Sequence, residues 1–141
     1  MIGGTSGTVF FDIKTNPVLT SDNYKQFFYY TDSSANQGYM YLNSSNVIIT
    51  NSSLGNLSSS TTLSSNTRYK IALTYANNDF ALYVNGASVA TALSGTPFNF
   101  INLLSLGSYN GASEFNQFVF NQYTHFPLRL TNAELAQLTT I

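Results

Sequence analysis

The sequence predicts an all-β fold, a sandwich or barrel of antiparallel strands, on three observations. Short apolar and aromatic runs recur along the chain, each bounded by Ser, Asn, Asp or Gly, which is the spacing of strands joined by turns. Residues 68–84 alternate apolar and polar side chains with period 2 through two successive runs, the pattern of half-buried strands. Asn85-Gly86 then supplies a strong hairpin signal, because both central positions of a type I′ turn need φ > 0.

The elements follow in order. Thr8 to Ile13 is a β-branched and aromatic strand closed by Asn16-Pro17. Lys25 to Thr31 carries Phe27, Phe28, Tyr29 and Tyr30, which plain alternation distributes over both faces of one strand. Gly38 to Asn43 places Tyr39 and Tyr41 on one face and Met40 and Leu42 on the other. Asn46 to Thr50 carries Val47, Ile48 and Ile49. Residues 51–66 form a polar low-complexity tract with Leu54, Leu57 and Leu63 embedded, read as one weak strand and a long loop. Arg68 to Thr91 is a three-strand meander turning at Asn77-Asn78 and at Asn85-Gly86. Leu103 to Gly107 is a further strand, followed by a Gly-rich turn at Tyr109-Asn110-Gly111. Glu114 to Phe126 is apolar on both faces and is expected to be a long strand central in its sheet. Thr131 to Glu134 spells a capping box, opening one or two helical turns whose apolar edge is Leu135 and Leu138. Residues 1–7 read as a flexible arm or linker, and 8–141 as a single domain.

Composition removes several function classes. Ser, Asn and Thr make up 51 of the 141 residues. Charged residues are only 8%, against about 25% in ordinary soluble domains. With no Cys there is no disulfide framework and no Cys-ligated metal site. Five Lys and Arg with a net charge of −1 argue against nucleic-acid binding, which needs a basic patch. The 43% hydrophobic content argues against disorder. No apolar run reaches the length of a membrane-spanning helix. The N-terminal residues lack the basic and apolar regions of a signal peptide, so synthesis in the cytoplasm is expected. The sequons at Asn43, Asn51 and Asn56 are what chance supplies in so Asn- and Ser-rich a chain.

Residues Arg68 to Gly86, ending in Tyr-Val-Asn-Gly, resemble the central meander of concanavalin A-like (laminin-G-like) jelly-roll domains. Phe126 to Leu135 resembles their closing strand and short helix, an aromatic-Pro-x-Arg-Leu-Ser/Thr-x-Ala-Glu-Leu pattern. The version with this ending is familiar from phage tail and other virion modules. The resemblance is good over Thr67 to Thr139 and loose over the N-terminal third. It implies a two-sheet antiparallel jelly-roll sandwich of about a dozen strands, with one concave sheet and a short C-terminal helix. It also implies a binding or structural module more often than an enzyme. Domains of this kind usually have a strand before the segment that begins at Thr8, so an open sheet edge is expected there.

The superfamily includes glycosidases, whose chemistry needs two carboxyl groups flanking the bond. This chain has only Glu114 and Glu134, and the capping box accounts for Glu134. Asp12, Asp22, Asp32 and Asp79 are scattered, the last three in turn contexts. His125 is the only His, and no Gly-x-Ser-x-Gly elbow accompanies it. The expectation is a non-enzymatic protein. No cofactor is expected; calcium is the one ion the resemblance leaves open, with Asp32, Asp79 or Glu114 as ligands.

Two features remain as functional signals, the aromatic surplus and the nearly uncharged surface. Tyr offers a flat apolar body and one hydroxyl, suited to stacking on a sugar or anchoring a protein contact. Tyr29, Tyr39, Tyr41, Tyr83 and Tyr109 are the expected contact residues. The leading expectation is an exterior module of a phage virion, a capsid decoration or tail-fibre component on the virion surface. Its partners would be other virion proteins or copies of itself, with weak adhesion to host-surface glycans. The alternative is a lectin-like carbohydrate-binding module for host recognition. Neither reading involves nucleic acid or membrane insertion.

Overall fold

The computed structural model describes residues 4–32, 36–97 and 103–141. Among these, ten strands form: β1 (Ser6–Thr15), β2 (Lys25–Thr31), β3 (Gln37–Leu42), β4 (Val47–Thr50), β5 (Ser58–Thr62), β6 (Arg68–Ala76), β7 (Asp79–Val84), β8 (Ala87–Ala92), β9 (Leu103–Leu106) and β10 (Phe118–Phe126). One helix, α1 (Asn132–Thr139), follows. The strands make two five-stranded antiparallel sheets, ordered β10-β1-β6-β7-β8 and β5-β4-β3-β2-β9. This is the two-sheet jelly-roll sandwich with a short C-terminal helix that the family resemblance implies, with ten strands among the described residues where about a dozen were expected.

The core lies between the sheets. Val9, Phe11 and Ile13 of β1 point inward with Ile71 and Leu73 of β6, and meet Phe28 and Tyr30 of β2 and Met40 and Leu42 of β3. Phe11 is its centre, with ring centroids 5.7 Å from Phe27 and 5.8 Å from Phe28. The meander forms as expected, and Asn85 and Gly86 both take positive φ, 50° and 85°. The polar tract 51–66 folds more fully than a loop. Ser52–Leu54 makes a single 3-10 turn, Ser58–Thr62 is β5, and Leu54, Leu57 and Leu63 are all buried.

Two strand expectations are corrected. The strand expected over Glu114 to Phe126 begins at Phe118 and is an edge strand, not a central one. Positive φ at Asn110, Gly111 and Glu114 keeps the preceding residues in a loop. Phe115 and Val119, two of the apolar residues of that stretch, are 67% and 60% exposed. The edge expected to lie open beside the first strand is also filled, because β1 pairs with both β10 and β6.

The outer faces of the two sheets differ, and this places the site. On the first sheet Phe10, Ala72, Ala81 and Tyr83 are covered by Leu135 of α1, with Leu130 and Leu138 packed alongside. The capping box starts that helix, Glu134 N donating to Thr131 Oγ1 and Thr131 N donating to Glu134 Oε2 at 2.7 Å. Its last turn is tied down by Gly86 N donating to Thr139 Oγ1 at 3.0 Å. On the second sheet no helix of the described residues covers the outer face.

Candidate functional site

The uncovered face is built by three segments. On β3, alternation points Met40 and Leu42 into the core and leaves Gln37, Tyr39 and Tyr41 outward. On β2 a bulge interrupts the register with β3 between Gln26 and Phe28. Phe27 and Phe28 therefore both enter the core, and Gln26 is paired with the outward Tyr41. The third segment is the loop 107–116, held by the Tyr109–Ser113 bridge and by Asn116 N donating to Gly107 O at 2.8 Å. It runs beside the first half of β2, where Gly107 N donates to Phe27 O at 3.0 Å, and supplies Tyr109 and Glu114.

These residues line two adjoining hollows that share Gln37 and Tyr39. The larger, about 500 Å³, is lined by Tyr39, Tyr41, Ile49, Asn51 and polar residues of 36–56. The smaller, about 190 Å³, is lined by Tyr24, Gln26, Gln37, Tyr39, Tyr109 and Glu114. Together they form one groove with Tyr39 at its middle.

The walls are fixed by hydrogen bonds. Asn51 Nδ2 donates to Gln37 O at 2.6 Å and its Oδ1 accepts from Tyr39 N at 3.3 Å, binding the β4 end to β3. Tyr109 OH donates to Gln37 Oε1 at 3.2 Å. Gln26 Nε2 donates to Glu114 Oε2 at 2.8 Å. On the far rim Lys25 Nζ turns inward and donates to Thr20 O, Asp22 O and Asn43 O at 3.1, 2.5 and 2.9 Å. That clamp holds the 20–24 loop, from which Tyr24, at φ 63°, packs on Tyr41 with centroids 4.8 Å apart. Burial pushes the Tyr41 and Tyr109 phenols above their ordinary value. Both stay neutral near pH 7, able to donate or accept hydrogen bonds.

Of the five expected contact residues, Tyr39, Tyr41 and Tyr109 line the groove. Tyr29 is outward-facing but only 6% exposed, because the Tyr109 ring lies over it. Tyr83 is corrected: it belongs to the first sheet and is buried under α1. Sequence reasoning missed Tyr24, Gln26, Gln37 and Asn51 as lining residues. Gln37 was within reach, since it shares the period-2 face of Tyr39 and Tyr41.

Each of the six acids is engaged by a partner of its own. Asp12 binds Arg68, Asp22 accepts from Thr20, Asp32 accepts from Asn36, Asp79 binds Arg129, Glu114 accepts from Gln26 and Glu134 caps α1. The calcium candidates Asp32, Asp79 and Glu114 thus serve different elements, and among the described residues no three potential metal ligands converge. His125 shares a 3.0 Å hydrogen bond with Tyr75 OH, and burial lowers its pKa.

A jelly-roll sandwich with one sheet face sealed by a helix and the other carrying an aromatic and polar groove is a lectin-type β-sandwich domain. The chain belongs to the concanavalin A-like lectin/glucanases superfamily, whose family model matches residues 4–136. No curated protein matches it by sequence. Among solved structures it is similar to the CBM40 domain of the Ruminococcus gnavus IT-sialidase bound to α2,3-sialyllactose. The TM-score is 0.73 at 16% identity, covering 96% of this chain and 83% of that one. The leech intramolecular trans-sialidase superposes with a TM-score of 0.69 at 19% identity, over 96% of this chain and 23% of the enzyme. Trypanosoma rangeli sialidase gives 0.71 at 14% identity, over 94% and 22%. The chain therefore spans under a quarter of those sialidases, and these likenesses concern the fold.

Proposed function

We propose that this chain is a non-catalytic carbohydrate-binding module whose site is the groove centred on Tyr39. One observation carries the reading: the second sheet's outer face, which no helix of the described residues covers, presents Tyr24, Tyr39, Tyr41 and Tyr109 between side-chain amides and hydroxyls. Such rings stack on the apolar face of a pyranose while neighbouring amides bond its hydroxyls. The likeness to a CBM40 domain bound to sialyllactose supports a glycan ligand. Several copies on one particle or polypeptide would raise weak contacts to useful avidity. The test is a glycan array probed with the wild type and with Tyr39→Ala. Binding that Tyr39→Ala abolishes without changing the unfolding midpoint supports the reading; a blank array counts against it.

Attachment to a phage virion, as a capsid decoration or tail-fibre component on its surface, is the second reading. The observation favouring it is the set of exposed apolar side chains Leu103 and Leu106 on β9, Val119 on β10 and Phe115 in the loop before β10. A protein partner or a second copy would cover such side chains. Co-sedimentation with purified particles, lost on Val119→Asp, is the expected result; a protein that stays in the supernatant rejects this reading.

A further inference from the structure

Two observations reach past a generic sugar site and rest on the carbohydrate reading above. The first is an unmet acceptor. Gln26 is 1% exposed, and its Nε2 is committed to Glu114 Oε2. That bond fixes the amide orientation, so the remaining atom is the carbonyl oxygen. Gln26 Oε1 is buried and has no hydrogen-bond partner among the described residues. Buried polar atoms are almost always paired, and this one belongs to a residue lining the smaller hollow beside Glu114, Tyr39 and Tyr109. A carboxylate next to a lone carbonyl acceptor is satisfied by a ligand that donates hydrogen bonds.

The second observation is where the cations are. All five Lys and Arg lie in the described residues, and none lines either hollow. Lys25 is spent on three backbone carbonyls. Arg68 is held by Asp12 and Arg129 by Asp79. Lys70 Nζ donates to Thr140 O, and Lys14 sits on β1 of the other sheet. A ligand carboxylate is normally met by Arg or Lys; here the one charged residue lining the hollows is Glu114, of like sign.

We propose that the groove selects uncharged, hydroxyl-rich sugars, whose hydroxyls donate to Gln26 Oε1 and Glu114, and that it discriminates against sialic acid and other anionic glycans. The ligand class thus departs from that of the sialyllactose-bound CBM40 domain, although the two folds superpose. The smaller hollow takes the hydroxyls of one sugar ring, and the larger receives its neighbour across Tyr39.

The experiment is an array on which each neutral oligosaccharide stands beside its α2,3- and α2,6-sialylated forms, probed with the full chain, followed by titration of the strongest binder. Neutral members are expected to bind, and no sialylated form is expected to exceed its neutral counterpart. Glu114→Gln keeps the shape and the bond to Gln26 but removes the charged acceptor, and is expected to weaken neutral-sugar affinity roughly tenfold. Thermal unfolding of that variant checks that it is folded. Stronger binding to sialylated forms overturns this proposal and leaves the carbohydrate reading standing. Neutral-sugar binding indifferent to Glu114→Gln also overturns it. Binding to no glycan at all overturns the carbohydrate reading, and this proposal with it.

Discussion

Tyr109 lies across Tyr29 with ring centroids 4.5 Å apart, so a loop residue seals the outer face of β2. The same side chain donates to Gln37 on β3, joining the loop to two neighbouring strands. Tyr109→Ala removes both links. It is expected to lower stability by about 1 kcal/mol, the scale of one aromatic pair, and to make Tyr29 reactive towards nitration. Tyr109→Phe keeps the ring and is expected to keep Tyr29 protected. Peptide mapping after tetranitromethane treatment reads this out, and equal Tyr29 labelling in all three proteins defeats the account.

Lys25 is fully buried and burial lowers its pKa, yet its ammonium donates to the carbonyls of Thr20, Asp22 and Asn43. Lys25→Met keeps the stem and deletes the donors. The expected loss is about 1.5–3 kcal/mol, the range for hydrogen bonds to a charged group, measured by urea denaturation. Because the clamp positions Tyr24, any sugar affinity should fall in the same variant. A stability loss below about 0.5 kcal/mol would reduce the clamp to a surface contact.

Much of this was legible in the sequence, and the misses have physical causes. Period 2 put Tyr39 and Tyr41 on one face and Met40 and Leu42 on the other, and the structure keeps that division. The Asn85-Gly86 turn and the Thr131–Glu134 capping box were equally local signals, each read from adjacent residues. The aromatic run in β2 misled, because a bulge is invisible to alternation: it sent Phe27 and Phe28 together into the core. Tyr83 misled for another reason. Alternation says which residues share a face, but not which sheet the terminal helix will cover. Glu114 was read as the start of a strand, and only its left-handed backbone, φ 55°, turns it towards Gln26.

Gly38 pairs with Tyr30 across β2 and β3, and the Tyr30 ring lies against the glycine's backbone. A Cβ placed there would sit 2.2 Å from the ring. Tyr30 is a core residue with a stacked Phe28 neighbour at 5.8 Å, so it has little room to withdraw. Gly38→Ala is therefore expected to destabilise by about 1–3 kcal/mol, the range for overpacking. The double variant Gly38→Ala with Tyr30→Leu should lose less than the two single changes summed. Additive losses in urea titrations would show that ring and glycine are not in conflict.

Asp12 links three strands of the first sheet from the middle of β1. It accepts from Arg68 Nε of β6 at 2.9 Å and from Asn121 Nδ2 at 3.1 Å, the latter where the β1–β10 register slips. The Arg68 hydrogen bonds hold its carboxyl below the ordinary 3.8, against the opposing effect of burial, with Asn121 assisting. A depressed native pKa means that the unfolded chain takes up the proton at higher pH than the native one. The stabilisation is thus fully present above the unfolded value near 3.8 and is lost as pH falls through the native value. Asp12→Asn removes the charge and should lower stability at pH 7 by about 1 kcal/mol, a modest figure because the guanidinium is half in solvent. Urea midpoints taken from neutral pH downwards should show the wild type and Asp12→Asn converging below the carboxylate range. A gap that stays constant across the series would mean that Asp12 acts through packing and not through its charge.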